Sequence, residues 1–242
     1  KKFAISKPNN FSINLTLEVK FMSNNIKVAV IGAGMMGKNH LKTYKSLPGV
    51  DLVGVYDIFS DAAKAAAETF GIKAFSSMEE VAASVDAVSV VTTSVTHCNV
   101  GSFFLNKGIH CLMEKPLACS EEECRILIDA ARKNNVVLLV GHIEQFNPAV
   151  EQMHKILSDS TRIRSLTAQR MSAASGRITD VDVSMDLMIH DIEVIQSLVK
   201  SPVANVQASA VKTPDQPDGK NYITALVEFE NGVTANLTAS RI

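Results

Sequence analysis

Short apolar runs alternate with amphipathic stretches through the first part of the chain. Residues 26–31, 52–56, 87–92, 110–113 and 136–140 are apolar enough to read as buried strands, with 73–75 a brief addition. Between them, 38–47, 61–70, 78–83 and 97–107 place apolar residues at helical spacing. Ser120-Glu-Glu-Glu123 has the form of a capping box and opens a helix that ends near Lys133. Strands that alternate with helices predict right-handed βαβ units, and so a parallel sheet with helices on both faces.

Beyond Gly141 the rhythm changes. Asn147-Pro148 starts a helix to about 157, a strand follows over 163–171, and 172–182 is a polar loop. Met185, Met188, Ile189, Ile192, Ile195 and Leu198 then form one apolar stripe, which predicts an amphipathic α-helix over 184–199. Three strand-like runs come last, 203–211, 222–230 and 233–240, and Glu230-Asn-Gly-Val233 is a hairpin signal between the final two. One helix followed by several such strands makes an α+β unit with a mostly antiparallel sheet. That sheet reaches Ile242 abruptly, so further residues are expected after it.

The first turn carries the chemistry. The strand from Val28 runs straight into Gly32-x-Gly34-x-x-Gly37, and a helix pattern follows at once. The next strand delivers Asp57 about 25 residues past the first glycine. In that context Gly32 allows the tight turn, Gly34 lets backbone approach a pyrophosphate, and Gly37 lets the helix pack closely. Met35 and Met36 open the helix, whose N-terminus offers N–H groups and a positive dipole to phosphates. Asp57 would accept hydrogen bonds from the adenosine ribose hydroxyls. The sequence thus reads as an α/β protein in three parts: an extension at 1–25, a Rossmann dinucleotide-binding domain at 26–145, and an α+β domain at 146–242. No arginine follows Asp57 in Ile58-Phe-Ser60, so NAD is the expected cofactor, while Lys64 leaves NADP open.

Composition narrows the partners. A net charge of −1, with no basic run, argues against a nucleic-acid surface. No apolar stretch approaches the roughly 20 residues that span a membrane. The four cysteines, Cys98, Cys111, Cys119 and Cys124, form no C-x-x-C pair, and reduced thiols in a cytoplasmic protein are the expectation. Residues 1–21 lack a continuous apolar core with a cleavage site, which argues against a signal peptide. Either Met22 is the natural start or the preceding segment pairs as an edge strand.

Several polar residues stand where ligands bind. Lys115 in Glu114-Lys115-Pro116 follows a core strand, at the sheet edge that binds ligands in open parallel sheets. By itself it is equally a solvated charge in a proline-stiffened turn, where a cis peptide is one option. Thr92, Thr93, Ser94 and His97 close another core strand and are placed to touch a bound dinucleotide. Asp186 and His190, at i and i+4, project from one face of the last helix. Such a histidine is often a satisfied core residue; the pair could also ligate a metal, although no third ligand has a fixed spacing. Arg170 and Arg177 are candidates for nucleotide-sugar phosphates or plain surface charges, and Asn147 for a sugar contact or a helix N-cap.

Together, the glycine run, Asp57, residues 92–97, Lys107-Gly-x-His110 leading into Glu114-Lys-Pro116, and Asp186-x-x-x-His190-Asp191 resemble the Gfo/Idh/MocA oxidoreductases over about 26–242. Residues 140–150 and 180–191 are similar to the branch containing UDP-N-acetylglucosamine 3-dehydrogenases. The resemblance implies hydride transfer from a secondary hydroxyl of a sugar or nucleotide sugar to a nicotinamide, by a homodimer or homotetramer. It also implies that Lys115 contacts nicotinamide and the reacting oxygen, that His190 takes the proton, and that Asp186 orients its imidazole. The chain departs from the family pattern at Thr93, Met188 and Glu193, where proline, glycine and aspartate are common, and at Gln145, where the closer branch often has arginine. A non-catalytic dinucleotide-binding redox sensor is the contrasting reading; it would need no paired Lys115 and His190.

Overall fold

The computed structural model describes residues 25–157, 163–173, 181–212 and 218–242. Expectations for the N-terminal extension and for Arg177 lie outside these residues.

The first sheet contains β1 (Ile26–Ile31), β2 (Val50–Tyr56), β3 (Lys73–Ala74), β4 (Ala87–Val90), β5 (His110–Met113) and β6 (Leu138–Val140), in the order 3-2-1-4-5-6. Every pairing is parallel. The connecting helices are α1 (Met35–Ser46), α2 (Ser60–Phe70), α3 (Met78–Ala82), α4 (His97–Asn106) and α5 (Glu121–Lys133). The strands read as unbroken apolar runs because they are buried on both faces. Ala29 and Ile31 of β1 pack with Phe104, Leu105 and Leu127 on one side. Val30, between them, packs with Leu41, Val55 and Ala66 on the other. The strand order reverses between β1 and β4, which opens a crevice at their carboxyl ends.

Some boundaries move for local reasons. Helix α1 begins at Met35, ahead of the Lys38 that periodicity suggests, because the glycine turn launches it directly. Strand β4 ends at Val90, two residues before the expected 92, and a 3₁₀ turn follows at Ser94–Thr96. The cap of α5 forms as expected, with Ser120 Oγ accepting from the Glu123 N–H at 3.2 Å. The Glu123 carboxylate reaches back one residue past the cap, to the Cys119 N–H at 3.0 Å.

A 3₁₀ turn, Ile143–Phe146, and α6 (Pro148–Ile156) lead into the second sheet. Here β7 (Ser165–Met171), β8 (Val203–Ala210), β9 (Tyr222–Phe229) and β10 (Thr234–Ser240) lie in the order 7-10-9-8. Only the β7–β10 pairing is parallel. Helix α7 (Ile189–Val199) covers one face, where Ile195 and Leu198 meet Phe229, Ala235, Leu237 and Ala239. Register decides the outer face: Val206 sits opposite Val227 on the helix side, so Leu226 points outward and Val206 does not.

The expected α-helix over 184–199 starts differently. Ser184–Met188 is a π-turn, and α-geometry begins only at Ile189. Asp182 Oδ1 anchors this start, accepting the N–H of Ser184 at 2.9 Å and of Met185 at 3.1 Å. All four cysteines are free thiols. Among the described residues no helix is long and apolar enough to cross a membrane.

Candidate active site

The three glycines of the first turn do different work. A Cβ on Gly32, where φ is +106°, would stand 2.4 Å from the Val91 carbonyl oxygen. One on Gly37 would stand 2.0 Å from the Gly32 carbonyl oxygen, so this glycine answers to the loop beside it rather than to the strand. Gly34 is the exception, with nothing within 4 Å of its missing Cβ. It caps α1 without any side-chain hydrogen bond, and Met35 and Met36 beside it are exposed. The open approach at Gly34 fits a pyrophosphate over a helix N-terminus. Asp57, at the end of β2, accepts the Ala33 N–H at 2.7 Å and the Phe59 N–H at 2.9 Å. Each carboxylate oxygen keeps a second lone pair for a ribose hydroxyl.

These facts separate fold from binding. Gly34→Ser keeps a good N-cap and should hold stability within about 0.5 kcal/mol. Its added Cβ should weaken dinucleotide binding by about tenfold or more. Calorimetric titration with NAD beside a denaturant melt checks both; unchanged affinity would show that the cofactor does not lie over Gly34.

At the carboxyl end of β5, Glu114 is fixed from two sides. His40 Nε2 lies 2.9 Å from Oε1, and the Lys115 N–H donates to Oε2 at 3.2 Å. Burial opposes its charge, but the His40 contact and the nearby Lys115 outweigh that and hold the carboxyl below its ordinary value. The Lys115–Pro116 peptide is cis. Thr92, Thr93 and Ser94 do lie at the neighbouring β4 edge. His97 does not reach a dinucleotide. It is 1% exposed, with Nδ1 2.8 Å from the Pro116 carbonyl and Nε2 3.1 Å from the Thr92 carbonyl. As the first residue of α4 it is packed inward, where it braces two site loops against each other.

The second domain closes on the same edge. Lys115 Nζ donates to the Asp186 carbonyl at 2.7 Å and to its Oδ1 at 3.0 Å. Arg241 Nη1 approaches the other carboxylate oxygen at 3.5 Å. Asp186 is thus occupied by two cations, and among the described residues no hydrogen bond joins it to His190. The orienting contact expected from i, i+4 spacing is absent because Asp186 lies in the π-turn, which alters its rotational offset from His190. His190 is half-buried beside Lys115 and Arg170. Burial first, then these two cations, push its imidazole below the ordinary histidine value, against the opposing pull of Glu144 and Asp191. A neutral imidazole beside an ammonium is suited to accept a proton from a hydroxyl whose developing charge the ammonium stabilises.

Other expectations change. Arg170 is neither a surface charge nor a free phosphate ligand, since Asp191 and Glu144 hold its guanidinium. Asn147 is the N-cap of α6: its Oδ1 accepts the Ala149 N–H at 3.0 Å and its amide donates to Glu144. Both ends of that side chain are in use. A metal reading of Asp186 and His190 gains no third ligand among the described residues. The sequence reading gave no role to His40, Glu144, Asp191 or Arg241, although Asp191 closes the quoted Asp186-x-x-x-His190-Asp191 motif and Glu144 lies within residues 140–150. Their partners come from distant segments.

Comparison with known proteins supplies the context. Residues 26–142 match the description "Oxidoreductase family, NAD-binding Rossmann fold", and residues 162–242 match a GFO/IDH/MocA C-terminal domain. A UDP-N-acetylglucosamine 3-dehydrogenase from Acidithiobacillus ferrooxidans is 35% identical over 217 residues, covering 90% of this chain and 67% of its own. Its solved structure superposes with a TM-score of 0.83, covering 90% of this chain and 68% of that one. GenD2 from gentamicin A biosynthesis, solved with NAD, is 26% identical with a TM-score of 0.81, over 91% of this chain and 67% of that one. An inositol 2-dehydrogenase from Rhizobium meliloti is 26% identical, over 89% of this chain and 69% of its own. The chain therefore spans about two thirds of the length of these relatives.

Proposed function

Because the chain belongs to the Gfo/Idh/MocA family of NAD-binding oxidoreductases, we propose that it oxidises a secondary hydroxyl of a nucleotide sugar, UDP-N-acetylglucosamine at its 3-hydroxyl. The observation that carries this reading is the meeting of Lys115, from the carboxyl edge of the parallel sheet, with Asp186 and His190 of the second domain. A dinucleotide-binding sensor would have no use for that convergence. The similarity to a UDP-N-acetylglucosamine 3-dehydrogenase supports the choice of sugar.

The residues divide the work. The nicotinamide, when bound, supplies the hydride acceptor. Gly32, Gly34 and Gly37, with Asp57, would seat the dinucleotide, and the carboxylate of Asp57 selects NAD by repelling a 2′-phosphate. Thr92, Thr93, Ser94 and Glu114 line the edge where its reactive end would lie. His190 takes the hydroxyl proton as the C–H bond breaks, so the imidazole must start neutral. Lys115 holds the developing alkoxide charge, and Asp186 holds Lys115.

Incubation of the full-length protein with NAD and UDP-N-acetylglucosamine tests this directly. NADH absorbance should rise and a 3-keto product should form. A panel of UDP-sugars and inositols that binds without any turnover would support the sensor instead. The pH profile adds a second check. With the His190 value depressed below about 6.5, protonation of the base should cut kcat/KM only on the acid side of that point. An acid limb above the ordinary histidine value would remove His190 from the proton step.

Free thiols support a cytoplasmic site of action. The outer face of the second sheet, carrying exposed Leu226 and Met171, supports assembly into a homodimer or homotetramer.

A further inference from the structure

We propose that Arg170 is a positioning residue that sets where His190 stands, by clamping the helix that carries it to the end of the dinucleotide-binding domain. The proposal rests on the reading of His190 as the proton acceptor.

The geometry is that of a two-sided fork. Nε and Nη2 of Arg170 donate to the two carboxylate oxygens of Asp191, at 3.0 and 2.9 Å. Nη1 donates to Glu144 Oε1 at 3.2 Å. Asp191 directly follows His190 in the first turn of α7, so holding its carboxylate holds the backbone that bears the imidazole. Glu144 lies in the 3₁₀ turn after β6, and its second oxygen accepts the Asn147 amide at 3.0 Å, which ties the turn to the cap of α6. Arg170 itself comes from β7. One guanidinium thus joins three elements that the chain order keeps apart.

Two physical points argue for a role beyond stability. A lysine could not reproduce this contact, because only a planar fork engages one carboxylate at two points and a second from the side. The clamp also sets the field at His190. The charged groups facing that imidazole are Lys115 from the β5 edge, Arg170 from β7, Glu144 from the 3₁₀ turn and Asp191 on its own helix. Of these, Arg170 neutralises both carboxylates at once. Three of its five N–H donors go to them, and positioning His190 this way requires no contact with substrate.

The test uses the full-length protein, NAD and UDP-N-acetylglucosamine, with NMR titration of the His190 ring as a second measurement. Arg170→Met should lower kcat by roughly 10- to 100-fold, the scale of a small misplacement of a reacting group, and leave the NAD dissociation constant unchanged. It should also move the acid limb and the ring titration to higher pH, since two carboxylates then face the imidazole without their counter-ion. Arg170→Lys should return the pH behaviour but not the full kcat. Wild-type kcat in either variant overturns the proposal. Should Arg170→Met fail to fold, Asp191→Asn removes the fork from the helix side. There kcat should again fall while the titration moves to lower pH, and wild-type values in both overturn it. If no sugar turns over at all, the assigned function fails separately, and an unmoved His190 titration in Arg170→Met would still sink the clamp.

Discussion

Replacing Lys115 by methionine is expected to lower kcat by about 100- to 1,000-fold, the scale on which loss of one donor to a developing oxyanion is felt. Methionine keeps the apolar stem and removes the ammonium that sits 3.0 Å from Asp186. The glycine turn and Asp57 follow β1 and β2, with β4 between them and β5, so NAD binding should stay within a few-fold. Lys115→Arg should not rescue. A guanidinium spreads its charge over a rigid plane and cannot direct a compact ammonium at both the Asp186 carbonyl and the alkoxide. Steady-state kinetics with a parallel NAD titration separates the two effects. Wild-type turnover in Lys115→Met would mean that the alkoxide is stabilised elsewhere and that the site is misassigned.

Removing the partner has a different consequence. Asp186→Ala should cost about 3–5 kcal/mol of folding stability, the scale for stripping one member from a buried ion pair. The Lys115 and Arg241 side chains are only 19% and 10% exposed, so neither can recover full hydration in place. Both would remain as largely buried cations without their carboxylate. Denaturant melts measure this, and the double variant with Lys115→Met supplies the internal control. Deleting one of the stranded cations should recover part of the loss, giving a coupling well above the ~0.5 kcal/mol of independent sites. A melt for Asp186→Ala unchanged from wild type would show that the carboxylate is better hydrated than its 7% exposure indicates.

Some of this molecule is legible without coordinates. Buried strands, the launch of α1 and the hairpin before β10 all depend on residues close together in the chain. Gly37 had to be glycine because the loop folds back on itself within a few residues, and the positive φ of the turn favours glycine at Gly32. The placement of Lys115 at a ligand-binding edge followed from one strand and the rule that such edges bind.

Where the sequence misleads, distant segments compete for the same group. Asp186 and His190 share a helical face only if the helix is regular. The π-turn and the pull of two cations from other elements gave Asp186 to Lys115 and Arg241. His97 sits in a polar run that suggests cofactor contact, yet two carbonyls from separate loops claim its ring. Arg170 looks like any strand arginine until β6 and α7 bring carboxylates to it.

The chain by itself therefore determined the parallel sheet, the dinucleotide turn and the edge at which Lys115 stands, since periodicity and tight turns are written in near neighbours. Tertiary structure alone decided which carboxylate meets which cation, which face Val206 takes and what surrounds His190. Those outcomes depend on burial and register between segments whose pairing no local pattern encodes.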